Sequence, residues 1–338
     1  MPSLRQRVRG ALLGGAIGDA LGAPVEFDSL EMIRRTYGDE GITDFEPAYG
    51  RIGAITDDTQ MTLFTAEGLL WTSDPPLTVA PANPVTSVYR AYVRWLRTQG
   101  RRPAGTDTDD PDIGLCALPE LHSVRGPGTT CITALSSGQM GTVSERANHS
   151  KGCGGVMRVA PVGLWCADDP FDLGCRTAAI THGHPSGFLA AGFLAELVAH
   201  LIADASLDEA AASARASLAR WPESAECLSA VDRALEFATM RAATPETVAA
   251  LGRGWVGEEA LAIGLYCART TEDFAFGVTL AVNHDGDSDS TGCIAGTILG
   301  ARLGVDAIPQ EWVERVELRD TITALADRLA DTHLATQS

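Results

Sequence analysis

The sequence predicts an all-α fold in a single domain. Apolar residues recur at helical spacing through most of the 338 residues, with polar loops between the helical segments. Strand-like segments are scarce, and even Arg51–Thr56 is too short to indicate a sheet. Alternating strand and helix units are absent as well, so we do not expect a doubly wound or barrel fold.

The first helix is predicted over Leu4–Leu21, where Gly10, Gly14, Gly18 and Gly22 follow at intervals of four. This spacing places small residues along one stripe of the helix, which lets another helix approach closely. A glycine-rich phosphate loop is the alternative, but it needs a preceding strand, and the stretch before Gly10 is rich in arginine. We therefore predict close helix packing.

Further helices are predicted wherever apolar positions keep a helical period. Helix-start signals support several of them, such as Asp57 and Asp58 in a first turn. The predicted segments are Asp57–Trp71, Pro84–Arg97, Thr129–Ser137, Asp172–His182, Pro185–Ile202, Leu207–Arg220, Ala225–Met240, Glu258–Arg269, Thr271–Val282, Ser290–Leu303 and Gln310–Ala330.

Two loops, Pro75–Pro84 and Arg101–Asp112, interrupt this pattern with Pro, Thr, Asp and Gly. They do not separate regions of different composition, so we predict one domain over residues 1–332. Residues 333–338 are expected to form a frayed tail. The acidic run Asp107–Asp110 is interpreted as part of a solvated loop.

The net charge of −18 argues against a general affinity for nucleic acid or for an anionic membrane, since both require basic patches. An anionic ligand remains possible in a local pocket. The eight cysteines form no C-x-x-C pair and are predicted to be buried thiols in a reducing cytoplasm. We see neither a signal-peptide core nor an uncharged apolar run of roughly 18 residues, so we expect a cytoplasmic location.

Two segments that are distant in the sequence combine carboxylates with hydroxyls at predicted helix starts. Asp57 and Asp58 belong to the first, and Asp287 and Asp289 to the second. If the segments pack together, four like charges in a poorly solvated site need cations. Mg²⁺ or Mn²⁺ would suit such a cage of hard oxygen atoms. Ordinary helix capping is the alternative for each segment, because Asp, Ser and Thr are favoured at helix N-termini.

A glycine-rich segment, Asn148–Arg158, leads into an apolar stretch. Consecutive glycines let backbone N–H groups point at an anion, and Ser150 and Lys151 could add donors. A plain loop before a buried helix is the alternative. His182 and His184 follow between two apolar helices, where zinc lacks supporting ligands and a structural role is more common.

Taken together, these motifs resemble the ADP-ribosylhydrolases, the family that includes the dinitrogen reductase-activating glycohydrolase. The similarity runs from about residue 7 to residue 305, with the motifs in family order. The segments that carry it are Leu12–Phe27, Thr56–Thr59, Ser150–Arg158, Thr181–Pro185, Gly254–Leu261 and Asp287–Ser290.

The resemblance implies an orthogonal helical array with a binuclear magnesium centre in an ADP-ribose cleft, where Mn²⁺ is the possible substitute for Mg²⁺. Glu26 would be the catalytic acid/base or a metal gate. The implied metal ligands are Thr56, Asp57, Asp58, Asp287, Asp289 and Ser290. The implied ADP-ribose-binding residues are Ser150, Lys151, Gly152, Cys153, Gly154 and His182.

Two positions depart from the family pattern. Cys153 stands where asparagine is common, which leaves its side-chain contact open, and Ser290 replaces the commoner Thr while keeping the hydroxyl. The implied activity is hydrolysis of the bond between ribose C1″ and an acceptor, with ADP-ribose and ADP-ribosylated substrates as partners. A non-catalytic ADP-ribose-binding protein and a metal-dependent hydrolase of another phosphate or nucleotide are the alternatives.

Overall fold

The computed structural model describes residues 1–80, 82–105, 112–165 and 168–336. These residues are mostly helical, which confirms the predicted all-α class. The α-helices are α1 Leu4–Gly22, α2 Leu30–Tyr37, α3 Asp57–Ser73, α4 Pro84–Thr98, α5 Thr129–Ser136, α6 Ala160–Leu164, α7 Pro170–Ala179, α8 Pro185–Ile202, α9 Leu207–Ala219, α10 Ala225–Met240, α11 Pro245–Ala249, α12 Gly257–Arg269, α13 Phe274–Val282, α14 Ser288–Leu303, α15 Gln310–Arg315 and α16 Arg319–Thr336.

Short 3₁₀ turns and one hairpin complete the described structure. The hairpin pairs β1 Pro47–Ala48 with β2 Arg51–Ile52 in antiparallel register. The 3₁₀ turns are Gly114–Ala117, Pro119–Leu121, Cys153–Gly155 and Val305–Ala307.

Most predicted helices are confirmed, but two predictions differ from the structure. The single helix predicted over Gln310–Ala330 is wrong: Leu318 has a φ of +58°, outside the helical region, and the chain turns there between α15 and α16. Helices α2 and α11 were not predicted. The last helix continues to Thr336, into the segment expected to fray.

The glycine stripe of α1 packs directly against α14, as the spacing predicted. A Cβ atom added to Gly10, Gly14 or Gly18 would lie 2.3, 2.4 or 1.9 Å from the carbonyl oxygens of Gly300, Gly296 and Gly292, respectively. Backbone therefore touches backbone along this contact, which only glycine permits. The antiparallel pair brings the end of α1 beside the start of α14.

Around this pair, the other helices enclose one large apolar core. Helix α8 is long and apolar enough to cross a membrane by length and composition alone, and 89% of it is buried inside the fold. The run Asp107–Asp110 and Cys166 lie outside the described residues.

Candidate metal and ligand site

The first acidic segment is held in place by a buried carboxylate of α1. Asp19 accepts hydrogen bonds from the backbone N–H groups of Thr56 and Thr59 at 3.0 Å and from the Thr59 hydroxyl at 2.5 Å. These donors lie at the start of α3, where backbone N–H groups lack partners within the helix. Asp19 thereby positions the turn that carries Asp57 and Asp58.

The second acidic segment lies at the start of α14. The N–H of Asp287 donates to the carbonyl of Arg253 at 2.8 Å, and Asp287 precedes the first residue of the helix. Asp57 and Asp58 line the same cavity as Asp287 and Asp289. The two acidic segments therefore meet at one cavity, and the α1–α14 packing sets their separation.

Glu26 joins this cluster from the turn that follows α1. One carboxylate oxygen each from Glu26, Asp287 and Asp289 lie within 4.8 Å of one another. Asp57 and Asp58 border the same cavity, which has a volume of about 210 Å³. Its other lining residues are Gly126, Gly128, Thr129, Thr130, Cys131, Gly152, Cys153, Gly154, Met157, His182, Trp255 and Ser290.

Burial makes the charged form of these carboxylates costly. Burial, followed by the charges of Asp289, Asp287 and Asp57, raises the pKa of Glu26 to about 10. Burial, followed by the charge of Asp289, also raises the pKa of Asp57 and Asp58 well above the usual range. Cations would remove this penalty by compensating the negative charge.

The donor set fits a hard divalent cation. Asp58 is only 2% exposed, yet its Oδ2 makes no hydrogen bond with any described residue. A buried carboxylate oxygen without a partner is rare unless an ion or a water supplies one. With Asp287, Asp289 and Glu26 nearby, the oxygen-rich arrangement suits Mg²⁺ or Mn²⁺.

The opposite end of the cavity is formed by the glycine-rich loop. The Gly152 N–H donates to Ser150 Oγ at 3.3 Å, and the Cys153 N–H donates to the carbonyl of Trp255 at 3.2 Å. Gly154 follows within a short 3₁₀ turn, whose first N–H groups lack partners in the turn itself. Gly154 also lines the cavity, which makes its backbone N–H the candidate of this loop for contact with an anion.

His182 lies directly behind these glycines. A Cβ atom added to Gly154 would lie 2.8 Å from His182 Cε1, so the imidazole packs against the loop backbone. Its Nδ1 is 2.8 Å from the Thr181 hydroxyl, which also accepts a hydrogen bond from Arg158. Burial, and then the charge of Arg158, lowers the pKa of His182 to about 3, so the ring is neutral near pH 7.

Three residues predicted for the site lie just outside the cavity lining. Thr56 caps α3, and Ser150 Oγ lies 3.0 Å from Thr130 Oγ1. The Lys151 ammonium points to Glu226 and Glu258, at 2.5 Å from each. Their predicted contacts with metal or ADP-ribose stay predictions.

Cys153 links the two ends of the cavity. Its thiol donates to Asp287 Oδ2 at 2.8 Å and lies 3.6 Å from Ser290 Oγ. Burial, and then the charge of Asp287, raises the pKa of this thiol. A protonated thiol therefore acts here as a hydrogen-bond donor toward the second acidic segment.

Several residues of the site were not predicted from the sequence. Asp19 was one, although a lone acid within the small and apolar residues of α1 is a signal. Gly128, Thr129 and Thr130 were others; they place the start of α5 at the cavity, and Gly128 N–H donates to Asp57 at 3.4 Å. A glycine and two threonines before an apolar segment indicated where this helix begins, but not that its start would lie at the cavity.

Two larger clefts lie elsewhere on the described surface. One, of about 390 Å³, contains Tyr89 and Arg90, and the other, of about 620 Å³, contains Met140 and Trp221. Neither borders the carboxylate cluster. Convergent, perturbed carboxylates indicate a functional site more strongly than cavity size does.

The chain matches one protein family along nearly its whole length. The ADP-ribosylglycohydrolase family model matches residues 1–337. The chain is 28% identical to the ADP-ribosyl-[dinitrogen reductase] glycohydrolase of Rhodospirillum rubrum, over 94% of this chain and 92% of the relative. It is 26% identical to the ADP-ribosylarginine hydrolase Tri1 of Pseudomonas putida, over 96% of this chain and 78% of the relative.

Similarity extends to a mammalian protein and to a solved structure. The ADP-ribosylhydrolase ARH3 of Bos taurus is 24% identical, over 96% of this chain and 92% of the relative. A solved structure described as an ADP-ribosylglycohydrolase-related protein complex aligns with a TM-score of 0.68 and 25% identity, over 98% of this chain and 99% of that one.

Proposed function

Because the chain belongs to the ADP-ribosylglycohydrolase family, we propose that it hydrolyses the bond between ribose C1″ of ADP-ribose and an acceptor, with two divalent cations as cofactors. The acceptor belongs to a protein side chain, a nucleic acid or a small molecule. ADP-ribosylated substrates are the partners we propose, in line with the names of the bacterial relatives. The described cysteines are free thiols, which suits the cytoplasm as the location.

One cavity joins five carboxylates to a neutral cradle of glycines, and this juxtaposition supports the proposal most strongly. A cationic centre at one end and an anion cradle at the other match a ligand that carries ribose hydroxyls beside a pyrophosphate. For the cations we propose Mg²⁺, or Mn²⁺ in its place. The proposed ligands are Thr56, Asp57, Asp58, Asp287, Asp289 and Ser290.

When bound, the cations would orient the ribose hydroxyls and supply an activated water. The pyrophosphate would lie on the Gly154 backbone and on His182, with the start of α5 adding favourable partial charge. Ser150 supports the loop through Gly152, and Lys151 and Cys153 flank it. These contacts fix the substrate while its far end reacts.

Glu26 is the residue we propose to move the proton. Hydrolysis breaks the bond between C1″ and the acceptor, forms a bond between C1″ and a water oxygen, and transfers a proton to the departing atom. Glu26 lies among the carboxylates at the reacting end, and a carboxyl group there can give and take the proton.

Two other functions compete with this one. An ADP-ribose-binding protein without turnover would have little need for five carboxylates with raised pKa values beside the ligand. A metal-dependent hydrolase of another phosphate ester would use the same cations and the same loop. The three functions differ in which compounds they consume.

The test is a substrate panel of ADP-ribosyl-arginine, ADP-ribosyl-serine and p-nitrophenyl phosphate. We expect release of ADP-ribose from at least one conjugate, loss of activity in EDTA, and recovery with Mg²⁺ or Mn²⁺. Turnover of p-nitrophenyl phosphate alone would support the phosphatase alternative. Binding of ADP-ribose without any turnover would support the binding protein, and full activity in metal-free buffer would refute the metal centre.

Substitutions with a matched control test which residues take part in the reaction. Asp289→Asn should reduce both turnover and the rise in melting temperature produced by Mg²⁺, whereas Asp39→Asn, on an exposed turn, should change neither. Glu26→Gln should lower turnover by about 10²-fold or more while ADP-ribose binding survives. Near-wild-type turnover of this variant would remove Glu26 from the mechanism.

A further inference from the structure

Exposed aromatic side chains gather at the mouth of the acidic cavity. Phe27, Tyr49 and Trp255 are 75%, 44% and 38% exposed, although large aromatic surfaces are usually buried. We call these three residues the aromatic collar. Among the described residues, the other aromatic side chain of comparable exposure is Phe276, at 45%, on helix α13.

Two members of the collar stack on each other beside the catalytic carboxylates. The rings of Phe27 and Trp255 lie 5.5 Å apart, centroid to centroid, and 19° from parallel. Phe27 follows Glu26 directly in the chain, and Trp255 lines the cavity itself. The stack therefore extends the cavity wall outward from Glu26.

The third member approaches Glu26 from the hairpin. Tyr49 lies between β1 and β2 with a φ of +49°, a region that a bulky residue rarely adopts. A Cβ atom added to Gly126 would lie 2.9 Å from the Tyr49 hydroxyl and 3.6 Å from Glu26 Oε2. The Tyr49 hydroxyl and the Glu26 carboxylate therefore lie beside the same residue of the cavity lining, Gly126.

This position corresponds to one part of the substrate. If the pyrophosphate lies on the glycine loop and C1″ lies among the carboxylates, the leaving group extends past Glu26 into the collar. Aromatic faces favour a cation, and a planar guanidinium also stacks on such rings. Tyr49 already packs in this way with Arg125, whose guanidinium carbon lies 5.3 Å from the ring centroid.

We propose that the aromatic collar is the leaving-group subsite and selects a planar cation, the guanidinium of an ADP-ribosylated arginine, over a neutral leaving group such as serine. This inference rests on the proposed hydrolase function. It assigns Phe27 as the main specificity-determining residue, because its ring is the most exposed of the three.

The experiment compares wild type, Phe27→Ala and the control Phe276→Ala. The kcat/KM values for ADP-ribosyl-arginine and ADP-ribosyl-serine are measured, together with the Kd of ADP-ribose and the melting temperature. We expect wild type to prefer the arginine conjugate, and Phe27→Ala to reduce that preference about tenfold, mainly through KM, with the Kd of ADP-ribose within twofold of wild type. Phe276→Ala should match wild type.

Inhibition by agmatine, a free guanidinium compound, gives a second readout. Inhibition by agmatine should be weaker in Phe27→Ala than in wild type and unchanged in Phe276→Ala. A wild-type preference for serine, or an unchanged preference in a folded Phe27→Ala variant, would overturn the inference and leave the hydrolase function standing. A folded wild type that consumes neither conjugate with Mg²⁺ or Mn²⁺ present would also overturn the inference and would limit the proposed function to other acceptors.

Discussion

The two ends of the cavity differ in their electrostatics: one is acidic and the other is neutral. At the acidic end, five carboxylates are buried together, and Asp58 Oδ2 has no hydrogen-bond partner among the described residues. At the glycine-loop end, the groups are neutral: backbone N–H groups and a His182 ring whose pKa is lowered to about 3. The acidic end gathers carboxylates with no lysine or arginine among the described residues that line the cavity, whereas the glycine-loop end is neutral.

The difference shows how each end is held together. The acidic end draws its residues from separate helices and depends on the α1–α14 contact to hold like charges close. The glycine-loop end is held by local hydrogen bonds, such as that between Cys153 N–H and the Trp255 carbonyl. Stability should therefore respond strongly to changes at the helix contact, and ligand affinity to changes in the loop.

A single methyl group added at the α1–α14 contact should show the difference between the two ends most clearly. In Gly18→Ala the new Cβ would lie 1.9 Å from the Gly292 oxygen, so the helices must move apart. We expect a loss of about 3 kcal/mol in the free energy of unfolding, measured by denaturant titration. Gly128→Ala, with open space around the added Cβ, should stay within about 1 kcal/mol of wild type. Equal losses in both variants would contradict the comparison.

A change in the glycine loop should affect binding with little effect on the acidic end. In Gly154→Val the side chain would collide with His182 and block close approach of the pyrophosphate to the backbone. We expect ADP-ribose, which should bind wild type at low-micromolar Kd or weaker, to lose about thirtyfold in affinity, or about 2 kcal/mol.

Calorimetry with ADP-ribose and with ribose measures this change. Ribose alone should bind far more weakly than ADP-ribose, and the Mg²⁺-dependent rise in melting temperature should persist in Gly154→Val. Equal affinities of wild type for ADP-ribose and ribose would show that the loop does not hold the pyrophosphate.

The smallest expected effect is the pH dependence that His182 contributes. Its pKa in the folded protein is about 3, below the unfolded value of about 6.5, so below pH 6.5 the unfolded state binds more protons. Stability from this group is therefore complete above pH 6.5 and falls by about 1 kcal/mol between pH 6.5 and 5.5. His182→Gln should lack this contribution. Parallel stability curves for the two proteins over that interval would show that His182 is not buried in its neutral form.

The local features of the site could be predicted from the sequence more easily than the way in which they come together. The stripe on α1 predicted close packing, but its partner was not identified, even though Gly292, Gly296 and Gly300 repeat the same spacing. The acidic segments were identified, but their meeting depends on that contact. Helix periodicity describes one element at a time, whereas the site arises from backbone contact between two.

The missed features share a similar cause. Asp19 acts through hydrogen bonds to another helix, which leave no local pattern in the sequence. The turn at Leu318 uses neither glycine nor proline, so nothing in the sequence marked the end of α15. The partners of Lys151 are Glu226 and Glu258, which lie far along the chain on α10 and α12.

Lys151 is the only lysine of the sequence, and both carboxylates that it contacts belong to helices behind the glycine loop. An amine-selective reagent therefore has a single side-chain target in this chain, at the edge of the ligand cavity. A fluorophore attached there would report on the loop without any engineered attachment point. Attachment also removes the charge that Glu226 and Glu258 share, so the labelled protein doubles as a probe of how much that ion pair contributes to loop order.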